Sequence, residues 1–134
     1  MVRPHISRLA ASAAADAVLR LLDGGYLRIY SGEQPADPDV EIGNDHVLLA
    51  ELRFGSPAYA PAIDGFATSA RVTGAGKANG VAAWGRTFMS DGTTPVWDGS
   101  VGISDTNITL STTSIMEQAV ITLTGLSYTQ ARKG

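Results

Sequence analysis

The sequence predicts a mainly β protein: an antiparallel β-sandwich, or a jelly-roll or barrel-like variant of one, with about seven or eight short strands behind one N-terminal α-helix. Three observations carry this. One alanine-rich segment has a helical period, and after it the apolar period changes to two. Short alternating runs then recur between clusters of Gly, Pro, Asn, Asp and Ser. Charged residues make up only 17% of the chain, while its 15 glycines suit short strands and tight turns. No helical pattern recurs between the strands, which argues against parallel βαβ architecture.

Ser7 to Leu22 reads as the helix, since alanine has the best intrinsic propensity. Ile6, Leu9, Ala10, Ala13, Ala17 and Leu21 fall on one stripe, expected to pack on the protein's own sheet. Asp16 and Arg20 stand at i,i+4 in the favourable order, and Asp23-Gly24-Gly25 supplies the stop.

Tyr26 to Tyr30 is the first strand, with Leu27 and Ile29 on one face. A polar stretch punctuated by Pro35, Pro38 and Gly43 runs to Asp45, and Leu48 to Phe54 alternates as a half-buried strand closed by Gly55-Ser56-Pro57. Ala58 to Gly65 is proline-interrupted and reads as an extended loop or edge. Phe66 to Thr73 is a strand with Ala70 and Val72 inward, and Gly74 to Gly80 a turn. Val81 to Met89 and Pro95 to Val101 flank Asp91-Gly92, the strongest hairpin signal, with Asp98-Gly99 and Val101-Gly102 marking the exit. Asn107 to Leu110 and Ala119 to Tyr128 are the last strands, linked by Ser111 to Gln118.

The 134 residues suit one domain: an arm at 1–6, then a single β-sandwich domain at 7–134 that includes the N-terminal helix 7–23. A net charge of -3 with scattered basic residues gives no field for nucleic acid or an anionic membrane. The absence of cysteine removes disulfides, thiolate chemistry and Cys-based zinc sites. Asp16 and Arg20 interrupt the run a signal peptide needs, and no stretch has the length of a membrane span, so the chain is expected to be soluble.

Catalytic chemistry finds little to stand on. His5 and His46 are the only histidines, His5 in an arm expected to fray and His46 expected as an ordinary surface residue, and no serine stands in a Gly-x-Ser-x-Gly elbow. Asp37, Asp39 and Glu41 alternate as in a calcium loop but lack the longer ligand series, so they read as a solvated acidic loop. Gly74-Ala75-Gly76 departs from a phosphate loop at Asn79. Trp84 and Phe88 share a strand face and Trp97 lies across the hairpin. They could form a stacking platform, but cross-strand packing in the core is the commoner use. No catalytic, cofactor-binding or metal-ligating residue is assigned, and no cofactor is expected.

LRIYSG at 27–32, LLAELRF at 48–54, AAWGR at 82–86, SDGTTPVWDGSVG at 90–102 and NITLSTTSI at 107–115 occur in that order, after an alanine-rich helix that ends in glycines. Together, from about Leu9 to about Thr124, they resemble a family of small virion proteins of tailed bacteriophages. Gly85 departs from a bulkier residue in such proteins, and Glu117-Gln118 from a more glycine-rich turn. The resemblance implies a structural, non-enzymatic virion protein. The first expectation is a capsid decoration (cement) protein on the head exterior. It would bind the major capsid protein, other copies of itself, or both, as a homo-oligomer or in many copies. A tail, connector or baseplate component is the alternative, and a carbohydrate-binding module using Trp97 a more distant one. The expected interface is Met1 to Ile6, the 31–46 loop, or exposed strand edges that add to a neighbour.

Overall fold

Ser7 starts the helix α1 (Arg8–Arg20): its hydroxyl accepts the Ala10 N–H at 3.0 Å, as an N-cap does. The computed structural model describes residues 4–69 and 72–132, so Met1–Arg3 of the arm and the expected inward Ala70 lie outside the described residues. The predicted apolar stripe does not face the core. Ala11, Ala15 and Leu19 are buried, whereas Leu9, Ala10, Ala13, Ala17 and Leu21 are exposed, Leu9 at 83%. An alanine-rich helix is apolar nearly all round, so its polar side chains select the buried face. Ser12 Oγ accepts the Gly65 N–H at 3.1 Å and Asp16 Oδ1 the Ala62 N–H at 2.8 Å, which turns that side toward the chain at 62–65. Asp16 therefore serves a backbone donor and does not pair with Arg20. Beyond Leu21 the helix stops at Gly24, whose φ of 70° suits glycine.

Among the described residues ten strands follow: β1 (Tyr26–Tyr30), β2 (Leu48–Phe54), β3 (Phe66–Thr68), β4 (Val72–Gly76), β5 (Gly80–Val81), β6 (Trp84–Phe88), β7 (Pro95–Gly102), β8 (Ile108–Leu110), β9 (Ser114–Ile115) and β10 (Leu123–Thr129). Eight form one curled sheet in the order β3-β10-β8-β7-β6-β1-β2-β4, and β5 pairs with β9 separately. The fold is mainly β and barrel-like with one N-terminal helix, as predicted. The antiparallel expectation fails at one pair, since β8 lies parallel to β7.

The curl brings the ends of the sheet together. Gly76 N donates to Ala119 O at 2.9 Å, Gln118 N to Gly76 O at 2.8 Å and Ile121 N to Gly74 O at 3.2 Å. The same chain run then continues as β10, which pairs with β8 and β3. Thus 118–129 joins β4 to β8, and the free edge of β4 is occupied. The outer side of β3 is also covered, by Ala60 N donating to Thr68 O at 3.0 Å and by the reciprocal Ile63–Phe66 bonds. Along these stretches the edges expected to add to a neighbour are already paired.

Several local expectations change, some of them where a bare glycine admits a close neighbour. The predicted 66–73 strand is two strands that change partner, from β10 to β2. Gly74 to Gly76, expected as a turn, lies in β4 because its glycines leave room for neighbours: a Cβ on Gly74 would sit 2.3 Å from Glu51 O, and one on Gly76 2.0 Å from Met116 O. Asp98 and Gly99 lie inside β7, not at its exit. Gly85 faces inward, where a Cβ would meet Ile108 Cδ1 at 2.7 Å, so the bulkier residue of the resembling family has no room. The 58–65 segment, expected as an extended loop or edge, runs as an edge beside β3 through the Tyr59–Ser69 and Ile63–Phe66 bridges, and Asp64 and Gly65, both at positive φ, make a hairpin turn within it.

The inner face of the sheet buries Leu27, Ile29, Leu52, Phe54, Ile108 and Leu126 around Leu19 and Leu22 of the helix segment. Between β6 and β7, Val96 and Trp97 together oppose Thr87, a β-bulge. The buried Thr87 hydroxyl donates to Trp97 O and accepts from Trp97 N, both at 3.0 Å, which replaces the missing ladder bonds. The Asp91-Gly92 turn is present as predicted. Asp91 Oδ1 accepts the N–H groups of Thr93 and Thr94 at 2.9 Å, and Oδ2 accepts the Thr94 hydroxyl.

Two outcomes follow. Gly76→Ala is expected to lower stability by about 1–3 kcal/mol, because the added methyl meets a backbone carbonyl that cannot swing away; a urea midpoint that does not move would refute this. The hydrogen bonds from Thr94 and then Thr93 hold the Asp91 carboxyl down at about 2. Its stabilising effect is therefore complete above the unfolded value near 4 and is lost as pH falls through the folded value. The stability difference between the native chain and Asp91→Ala is expected to be constant from pH 7 to 5 and to shrink between about pH 4 and 2.

Candidate functional site

Alternation that puts Leu27 and Ile29 inward sends Tyr26, Arg28 and Tyr30 to the outer face of the sheet. Register sets Arg28 opposite Glu51 on β2 and opposite Arg86 on β6, while Arg86 stands opposite Asp98 on β7. One row across four strands therefore reads Glu51, Arg28, Arg86, Asp98. Two guanidiniums directly opposite would repel, and each is flanked on its far side by a carboxylate. Arg28 Nε donates to Glu51 Oε2 at 2.8 Å, and Arg86 forks onto Asp98 with bonds of 2.7 and 3.0 Å. Aromatic residues border the row. Tyr30 stacks on Trp84 at 4.7 Å, and Arg28 lies 4.6 Å from the centre of the Phe88 ring. Burial raises the pKa of the Tyr30 hydroxyl, an effect that the positive charge of Arg28 and then Arg86 opposes.

Each arginine also holds a covering segment. Arg28 donates to Gly92 O at 2.7 Å, which draws the 91–94 turn over the sheet. Arg86, only 3% exposed, donates to Val40 O at 2.7 Å and Asp37 O at 3.3 Å. The acidic loop 31–46 is thus clamped by its carbonyls, and its carboxylates are left in solvent. Asp37 Oδ1 accepts the Asp39 N–H at 2.8 Å, and among the described residues no group of three or more His, Cys, Asp or Glu could hold a metal ion.

His46 is not an ordinary surface residue: its side chain is 8% exposed, edge-on to Trp84 at 5.1 Å. Nδ1 accepts the Gly43 N–H at 3.1 Å and Nε2 donates to Glu33 O at 2.8 Å, so backbone groups occupy both ring nitrogens. It closes the loop on itself and has no hydroxyl to activate. The exposed His5 lies just before Ile6, whose N–H is tied to Arg132 O at 2.9 Å.

Trp84 and Phe88 share the outer face as expected. Trp97 points the other way, into the core beside Tyr128 at 5.9 Å, and is 9% exposed, so it offers no stacking platform. A groove of about 240 Å³ between α1 and residues 57–61 is lined by Asp16, Leu19, Arg20, Asp23, Tyr59 and Pro61. Its carboxylates fasten the helix: Asp23 Oδ1 accepts the Ala58 N–H at 2.8 Å, as Asp16 does that of Ala62. Burial pushes the Tyr59 hydroxyl well above its ordinary pKa. The residues missed in the sequence are Arg28, Glu51, Arg86 and Asp98. The signal that could have found them is an arginine between aromatic residues at i±2, repeated in Tyr26-Leu27-Arg28-Ile29-Tyr30 and Trp84-Gly85-Arg86-Thr87-Phe88.

Apolar and acidic side chains stand out on the remaining surface. Leu9, Ile63, Val81, Ile103, Met116 and Val120 are each more than 60% exposed, and five carboxylates stand between Ser31 and His46 with no basic residue among them. Among the described residues no helix is long and apolar enough to cross a membrane. Comparison with protein-family models, with curated proteins and with solved structures finds no match.

Asp98→Ala strands the Arg86 guanidinium in a buried site and is expected to lower stability by about 3–5 kcal/mol. The pair replacement Arg86→Met with Asp98→Leu is expected to recover much of that loss, with faster amide exchange at Asp39 and Val40 because the Arg86 donors to this loop are gone. Equal stability of Asp98→Ala and the native chain in urea would refute the clamp.

Proposed function

We propose that this chain is a non-enzymatic structural protein of a tailed-bacteriophage virion, and specifically a capsid decoration (cement) protein on the exterior of the head. Its partners on this reading are the major capsid protein and further copies of itself. The supporting observation is how the polar groups are used. The row Glu51, Arg28, Arg86, Asp98 and the ring of His46 bind each other or the protein's own backbone. Meanwhile eleven large apolar side chains are exposed among the described residues, a surface suited to contact. The ordered motifs from Leu27 to Ile115 point to the particle, and covered sheet edges suit a protein packed at high density without edge-to-edge pairing. Weak contacts repeated over many copies suffice to hold a shell.

Quantitative mass spectrometry of purified virions tests this. Hundreds of copies per particle, with heads that lose heat stability when the protein is stripped, are expected. A number equal to one or a few rings would replace cement with a tail, connector or baseplate role, and absence from the particle would overturn the virion reading.

A further inference from the structure

The 31–46 loop is fastened in three places, and one of them depends on a proton. At its base Ser31 N donates to Val47 O and Val47 N donates to Ser31 Oγ, both at 3.1 Å. Its middle is held by Arg86 through Asp37 O and Val40 O. The third fastening is the ring of His46, which lies between the two limbs of the loop. Its Nε2 faces Glu33 O at 2.8 Å, and its Nδ1 faces Gly43 N at 3.1 Å. Gly32 passes bare beside the ring, since a Cβ there would meet His46 Cδ2 and Asp45 O, each at 3.0 Å.

These two partners fix the state of the ring. A carbonyl can only accept and a backbone N–H can only donate, so the hydrogen sits on Nε2 and the Nδ1 lone pair is bare. The bond from Gly43 therefore exists only with neutral imidazole. A proton on Nδ1 turns two donors toward each other and leaves a cationic N–H without an acceptor on a buried side chain. Among the described residues, few charged or titratable groups face the ring. Asp45 Oδ2, 3.8 Å from Nε2, favours the charged ring from outside hydrogen-bond reach. Arg86 on β6, 5.3 Å from the Trp84 ring centre, opposes it, with its own charge matched by Asp98. Tyr30 on β1, stacked on Trp84, has its hydroxyl kept neutral by burial. Glu33, Asp37, Asp39 and Glu41 are exposed, and residues 47–49, which lead from the ring into β2, carry no charge.

We propose that His46 is an acid-sensitive latch: a proton on Nδ1 expels the ring from between the limbs, frees residues 41–45 and opens Trp84 and Tyr30 to solvent. Histidine is the side chain whose charge ordinarily changes between about pH 5 and 8, so mild acid suffices. The Arg86 clamp and the Ser31–Val47 bonds involve no group that titrates there, so the base and middle of the loop stay attached. The His46 ring is edge-on to Trp84 at 5.1 Å, and both Trp84 and Tyr30 are buried beneath the closed loop. Opening thus uncovers a stacked aromatic pair bordered by the loop's carboxylates. The inference does not rest on the virion reading, because the purified chain suffices to test it.

NMR of the full chain between about pH 7.5 and 5 tests the latch. At the upper end the imidazole nitrogens of His46 should show hydrogen on Nε2 and a bare Nδ1. As Nδ1 takes up its proton, protection of the Gly43 amide and of the Trp84 indole N–H should fall together by about tenfold or more, after correction for the intrinsic effect of pH on exchange. His46→Gln keeps an acceptor and a donor but gains no charge. It should hold both protections steady across the range, while His5 and the carboxylates titrate as before. Should Gln fit poorly and leave the loop open at every pH, the native chain decides, through the coincidence of Nδ1 protonation with lost protection. Hydrogen on Nδ1 at pH 7.5, protection that stays constant while Nδ1 titrates, or the same fall in His46→Gln would overturn the proposal.

Discussion

The row Glu51, Arg28, Arg86, Asp98 is the constraint on which the rest of the outer face depends. Four strands must share one register for it to form, because a slip of one residue sends every side chain to the other face. That shift would drive Arg28 and Arg86 into the space now filled by Leu27, Ile29 and Ile108, so polar row and apolar core enforce the same alignment. The two arginines stand opposite each other only because a carboxylate flanks each. Their remaining donors reach outward to Gly92 O and Val40 O, and those bonds decide where the hairpin tip and the long loop lie. A buried pair of this kind contributes less to net stability than to choosing one arrangement among several, because desolvation offsets most of the attraction.

Closure of the sheet is the second organising fact, and glycine makes it feasible. Residues 116–121 approach β4 where Gly76 presents bare backbone, since a side chain there would collide with the Met116 carbonyl, while bare Gly74 admits the Glu51 carbonyl of β2 on the other side. The helix reaches the barrel by a similar device, since a Cβ on Gly65 would crowd the Ala11 methyl at 3.0 Å. Edges are thus removed by pairing along most of the sheet, and the surfaces left for partners are side-chain surfaces.

Much of this was legible in the sequence. The fold class, the helix, β1, β2 and the Asp91-Gly92 hairpin all rest on local patterns that tertiary structure left alone. The face of α1 was not legible, because alanines supply an apolar stripe on either side and the decision falls to Ser12 and Asp16 reaching for Gly65 and Ala62. Glycine gave a mixed signal. At 92 it makes a turn, whereas at 74, 76 and 99 it sits within strands to admit a neighbour, and sequence alone does not separate these uses. The charged row stayed hidden because its members lie on four strands far apart in the chain, and only register brings them into line. His46 was misread because its partners are backbone groups, which leave no trace in composition.

The closing run 118–129 has a consequence for how the protein is made. It bonds to β4, β8 and β3, all of which leave the ribosome earlier. Until it emerges, β4 lacks its outer partner and β3 and β8 lack β10, so the nascent chain carries unpaired strands that cannot complete the barrel. Contacts of such long sequence separation are slow to form, and unpaired edges are the sites where unfinished β proteins aggregate. Biogenesis is therefore gated by translation of the last strand, and a chain stalled or truncated before residue 118 would be a substrate for chaperones and proteases even though its helix and first hairpins are intact.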